Sequence, residues 1–168
     1  ECGTALVRAE DEANHYCPNE LCPPRVIGRV EHFVSRKAMN IEGLGSEIIE
    51  LLISKGIMAN VADIYTLPER RAELIGLEKV VYVEEQGGPE ISLANMFDVP
   101  TESVRMVAKR IFSLQSKSVD NLISAIEKSK SAGLAALLYG LGIRHVGEGA
   151  SKELAAAFKS MDAIKCAT

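Results

Sequence analysis

The sequence predicts a mainly α fold. Short amphipathic helices are joined by tight glycine hairpins, a small cysteine knuckle leads the chain, and one β-prone stretch interrupts it. Three observations carry this. First, a glycine turn and an amphipathic run, Met39-Asn40-Ile41-Glu42-Gly43-Leu44-Gly45-Ser46-Glu47-Ile48-Ile49-Glu50-Leu51-Leu52, have a second copy at Val146-Gly147-Glu148-Gly149-Ala150-Ser151-Lys152-Glu153-Leu154 and a worn third at residues 112–122. Second, 47% of the residues are hydrophobic, enough to bury a core, and most recur at helical spacing. Third, Cys2, Cys17 and Cys22 crowd into the first 22 residues, leaving only Cys166 elsewhere.

Residues 1–24 form the knuckle. In Cys17-Pro18-Asn19-Glu20-Leu21-Cys22 two thiolates can face one ion, and Leu6 and Val7 suit a small hairpin between the cysteines. Zinc in closed structural sites takes four such ligands. Three are present, so the expected partner of Cys2 lies upstream of Glu1. Free buried thiols or an adventitious disulfide are the alternatives. The chain starts without Met and stops inside an amphipathic pattern, and is expected to be an excised piece of a longer protein.

Residues 25–168 read as one helical domain, C-terminally truncated. Residues 25–38 look helical, with Val30, Phe33 and Val34 on one face. The first hairpin follows, and its second helix runs to about Ser54 before Gly56. Short helices are expected from Val61 to Leu67, and over 69–77 behind Pro68. Residues 79–111 read as an insertion. Val80-Val81-Tyr82-Val83 is β-prone, Gly87-Gly88-Pro89 is a turn, and residues 91–96 are either a short helix or extended. A helix is expected to resume at Pro100-Thr101-Glu102, carrying Val104, Val107, Ala108 and Ile111. Beyond it come an amphipathic helix at 118–129, another at 134–141 closed by Gly142, the later hairpin with its helix at 150–158, and a last start at 160–167.

Glycines at 43 and 45 free the backbone and leave no side chain over the amides, so the turn and the helix start behind it suit an anion such as a phosphate. The net charge of −4 argues against a wholly basic nucleic-acid binder. Its distribution matters more: Arg25, Arg29, Arg36 and Lys37 oppose only Glu31 over residues 23–37, and residues 101–168 hold ten basic and six acidic side chains. Lys117 and Lys152, each just past a hairpin, could add charge to the same phosphate, and equally suit a solvated helix surface. His15, His32 and His145 are scattered and no nucleophile motif appears, so catalytic residues are none. A lone histidine such as His145 near a hairpin suits packing or a surface position better than base chemistry.

The glycine unit resembles the helix-hairpin-helix of proteins that grip DNA by its phosphates. Longer runs point further. Cys2-x14-Cys17-x4-Cys22-Pro23 is similar to the four-cysteine zinc finger of bacterial NAD-dependent DNA ligases, minus its first cysteine. His32-Phe33-Val34-Ser35-Arg36-Lys37-Ala38-Met39-Asn40-Ile41-Glu42-Gly43-Leu44-Gly45 looks like that family's entry into a tandem helix-hairpin-helix domain. Lys117-Ser118-Val119-Asp120-Asn121-Leu122 and Ala125-Ile126-Glu127-Lys128-Ser129-Lys130 are similar to its second hairpin unit, and Leu138-Tyr139-Gly140-Leu141-Gly142-Ile143-Arg144-His145-Val146-Gly147-Glu148 to its third. Ser113 and Gln115 depart from the pattern, where glycine is usual.

The resemblance implies a clamp around nicked double-stranded DNA, using Arg36, Lys37, Gly43, Gly45, Lys117, Arg144, Gly147, Gly149 and Lys152, with a structural zinc on Cys2, Cys17 and Cys22. It implies an enzyme of DNA replication and repair that seals nicks through enzyme–AMP and DNA–AMP, cytoplasmic and nucleoid-associated. NAD and Mg belong to the parent only: the adenylation domain is expected before Glu1, and a fourth hairpin and a BRCT domain after Thr168. This piece alone is then expected to be inactive, with no small-molecule substrate and no membrane partner. The rival is a non-enzymatic module that binds DNA or protein through the same repeats.

Overall fold

Pro23 and Pro24 open the first helix, where a missing N–H and a fixed φ cost nothing. In the computed structural model, which describes residues 2–8, 13–86 and 104–167 and only the backbone of 80–86 and 104–112, this helix is α1, Pro23–Val34. It ends four residues earlier than its pattern suggested. Ser35 leaves helical geometry, and the carbonyls of Phe33, Val34 and Ser35 bond forward into the turn that leads to Ile41. α2 spans Ser46–Ser54, and Gly56 at φ +67° closes it. A 3-10 turn at Val61–Thr66 follows, capped reciprocally by Asn60 and Asp63. α3 is one turn, Arg71–Leu74, shorter than the expected 69–77; Ile75 is already extended and Gly76 takes φ +83°.

Next comes a two-stranded antiparallel ribbon, β1 Glu78–Gln86 against β2 Val104–Ser113, bulged between Lys79 and Val80. The helix expected over Val104, Val107, Ala108 and Ile111 is therefore a strand. Their spacing matched a helix face, but Val and Ile favour the pleat, and pairing with the equally β-prone Val80–Val83 decides a segment of balanced local preference. The expectations for 87–102, including the turn at Gly87-Gly88-Pro89 and the cap at Thr101, fall outside the described residues. Phe112 and Ser113 end β2, so the worn third copy has a strand where the other units have a turn.

The chain closes with α4 Ser116–Ser129, α5 Leu134–Gly140, α6 Glu148–Phe158 and α7 Met161–Lys165. The core joins Val26, Val30 and Phe33 of α1, Ile49 and Leu52 of α2, Ile64 and Leu67 around the 3-10 turn, Leu74 of α3, and Val119, Leu122 and Ile126 of α4. α5 meets α1 closely: a Cβ on Gly140 would lie 3.2 Å from the Ala38 Cβ and 3.3 Å from Phe33 Cδ2. His32 Nε2 lies 2.7 Å from the Tyr139 carbonyl and its ring leans on Tyr139, fixing the same junction. The mainly α reading, with a cysteine cluster in front, holds.

Candidate nucleic-acid interface and metal centre

Pairing of Val7 with Tyr16 closes the knuckle into a small ribbon, as expected for Leu6 and Val7. It brings the sulfurs of Cys2, Cys17 and Cys22 within 4.8 Å of one another, Cys2 and Cys17 being 3.4 Å apart. Thiolates around a tetrahedral zinc sit about 3.8 Å apart, from a Zn–S bond of about 2.3 Å, so this donor set fits a zinc ion. Arg25 donates to the Cys17 carbonyl at 2.7 Å and ties the knuckle to α1. Hydrogen bonds from the Thr4 side chain and backbone, then from Cys17 and Cys22, lower the Cys2 thiol to about 6, while burial pushes Cys22 up. This lowering favours the Cys2 thiolate, the form that ligates metal. Cys166 is exposed just past α7 and stands apart from the cluster.

The two hairpins share a backbone course. Asn40 at φ +48° and Gly43 at φ +89° correspond to Gly142 at φ +63° and His145 at φ +68°. Two residues after each second left-handed position comes a glycine cap, Gly45 at φ −80° before α2 and Gly147 at φ −80° before α6. Ile41 therefore matches Ile143, Leu44 matches Val146, and Ser46 matches Glu148. This register differs from the sequence match of Gly43 and Gly45 with Gly147 and Gly149. Gly149 lies inside the first turn of α6, and the counterpart of Gly43 is His145. His145 is an exposed turn residue with a left-handed backbone.

The glycines do different work. Gly43 needs its positive φ, and a Cβ built on it would lie 3.8 Å from the Leu122 Cα of α4. Gly45 and Gly147 have ordinary backbone angles, and a Cβ built on either of them, or on Gly149, meets no atom within 4 Å. Among the described residues, nothing requires glycine there. Such bare backbone at a helix start suits close approach of an outside group.

Arg36, Lys37, Lys117, Arg144 and Lys152 are all exposed. Lys37, in the turn after α1, lies 3.2 Å from Glu148, and Lys152 lies 2.8 Å from its other oxygen. One carboxylate thus joins the approach of the first hairpin to the helix of the later one. Lys152 first, then Lys37, holds the Glu148 carboxyl below its usual range. Lys117 stands at the second position of α4 and takes no part in these two ion pairs. In the sequence Glu148 reads only as part of the hairpin. The signal available was its spacing of four from Lys152; no sequence pattern announces Lys37.

Comparisons with known proteins agree with this layout. The NAD-dependent DNA ligase C4 zinc finger domain matches residues 1–23, and a helix-hairpin-helix motif matches residues 136–168. The chain is 38% identical over its whole length to a DNA ligase of Flavobacterium johnsoniae and 41% to one of Parabacteroides distasonis, covering 20% of each. A DNA ligase of Symbiobacterium thermophilum is 39% identical over 98% of the chain. The chain spans about a fifth of the length of the curated relatives it matches.

Proposed function

We propose, from the premise that this chain is the counterpart of the zinc-finger and helix-hairpin-helix region of NAD-dependent DNA ligases, that it grips duplex DNA at a nick by the phosphate backbone without reading bases. The observation that carries this is the bare backbone at Gly45 and Gly147. Two helix starts with the same turn geometry lack side chains where no internal contact forbids them. Amides and the helix dipole favour an anion there, and phosphate contacts position a protein without sequence information. Arg36, Lys37, Lys117, Arg144 and Lys152 supply charge to the same task. In the whole protein the grip would serve nick sealing through enzyme–AMP and DNA–AMP; these residues move no proton and form no bond. Cys2, Cys17 and Cys22 would hold a structural zinc that stiffens the knuckle on α1, and native mass spectrometry should find one zinc per chain once a fourth thiolate is supplied. No zinc under that condition would end this assignment.

Binding should weaken steeply with salt, log K falling by roughly 0.9 per phosphate neutralised. Replacing Gly45 and Gly147 together by Ala should cost about 0.5–1 kcal/mol in capping at each site. It should weaken binding several-fold, equally for duplexes of any sequence. A folded double variant with unchanged affinity for nicked duplex would overturn the phosphate reading. Exposed Leu141 and Ile143 on the later hairpin favour the second reading, a protein-interaction module; in that case the wild type binds no duplex at low salt.

A further inference from the structure

We propose that Glu148 is an internal competitor of the DNA phosphate, a fixed negative charge that occupies Lys37 and Lys152 in the free protein and limits the affinity of the two-hairpin surface. The inference rests on the phosphate reading above and assigns a residue that sets its strength. The carboxylate stands where a bound phosphate would be expected: at the first residue of α6, next to the Gly147 cap, accepting from two lysines at 3.2 and 2.8 Å. Its counterpart at the start of α2 is the uncharged Ser46.

Stability gives little reason for the arrangement. The side chains of Lys37, Glu148 and Lys152 are 70%, 45% and 68% exposed, and ion pairs so open to water hold a fold together weakly. Its consequence falls on association instead. When a duplex arrives, each lysine either stays with Glu148 and leaves a phosphate unneutralised, or moves to the phosphate and leaves a carboxylate facing the backbone. Both outcomes subtract about one charge from the interface.

The test compares this chain with Glu148→Gln, with Lys37→Gln and Lys152→Gln in both backgrounds, by equilibrium binding to a duplex with one central nick across a salt series. Glu148→Gln is expected to steepen the salt slope by about one unit, which amounts to affinity higher by on the order of tenfold at 0.1 M salt and a gap that closes as salt rises. Lys152→Gln is expected to weaken binding more when combined with Glu148→Gln than in wild type, because the lysine is then free for phosphate. A wild type that binds in a salt-dependent way alongside a folded Glu148→Gln variant of equal or lower affinity overturns the competitor role and leaves the DNA reading standing. Absence of duplex binding by every form, at any salt, overturns both. A readout without DNA guards the premise: carboxyl NMR should show the Glu148 titration moving up in Lys37→Gln and in Lys152→Gln. A titration that stays put in both overturns the inference whatever the DNA result.

Discussion

Ile41 in the first hairpin is 3% exposed and Ile143, its counterpart in the later one, is 46% exposed, although the two turns take the same left-handed steps into the same glycine cap. Met39 is buried where Leu141 is 39% exposed, and Leu44 is buried where Val146 is half-buried. The turn course is local: left-handed residues at the first and fourth positions and an extended glycine at the sixth suffice to draw it. Burial is not local. The first hairpin is covered because α4, far along the chain, lays Leu122 against Gly43 and closes the core over Ile41 and Leu44. Among the described residues no element covers the later hairpin in this way.

The sharpest way to break this comparison is to truncate the matched isoleucines. Ile41→Ala should destabilise the chain by about 3 kcal/mol, as buried isoleucines do. Ile143→Ala should cost well under about 1 kcal/mol, since its side chain remains in water. Thermal denaturation of the two variants checks this, and equal losses would mean that the later hairpin is also packed in solution.

A smaller effect isolates the agent of burial. We propose that residues 79–111 are an insertion, because the ribbon closes on itself at its base. Leu114 N–H donates to the Leu77 carbonyl at 2.9 Å, Gly76 N–H donates to the Leu114 carbonyl at 2.8 Å, and Lys79 faces Phe112 in the ladder. Beside this base, Arg71 bonds Asp120 at 2.7 Å, so α3 and α4 are joined without the outer ribbon, and Lys79 in the basal rung bonds Glu50 of α2 at 2.6 Å. Replacing residues 80–111 by Asn-Gly, the pair suited to a two-residue hairpin turn, should change the melting temperature by only a few degrees and leave the cost of Ile41→Ala unchanged. A collapse of the cooperative transition would make the ribbon part of the core that buries the first hairpin.

Much of the fold was readable because its causes are near in sequence. The end of α2 at Ser54, its closing Gly56, Leu122 and Ile126 on the inner face of α4, the helix start at residue 160 and the cysteine cluster follow from capping chemistry, period and ligand spacing. What failed was decided by partners. Residues 104–113 carry a pattern that suits either helix or strand, and only β1 resolved it. The match of Gly43-x-Gly45 with Gly147-x-Gly149 followed letters, whereas φ values pair Gly43 with His145, because the backbone course tolerates a histidine in the left-handed region when the turn around it is fixed.

The sequence by itself determined which segments are amphipathic, where α2 ends, which thiols could share a metal, and that two glycine turns recur. These are consequences of residue chemistry acting over a few positions. The tertiary structure alone decided that the ribbon pairs, that α4 buries one hairpin and not the other, and that Lys37 meets Glu148 across more than a hundred residues of chain. Such contacts depend on how distant faces dock, and docking is set by the summed burial of many apolar side chains rather than by any residue at the point of contact.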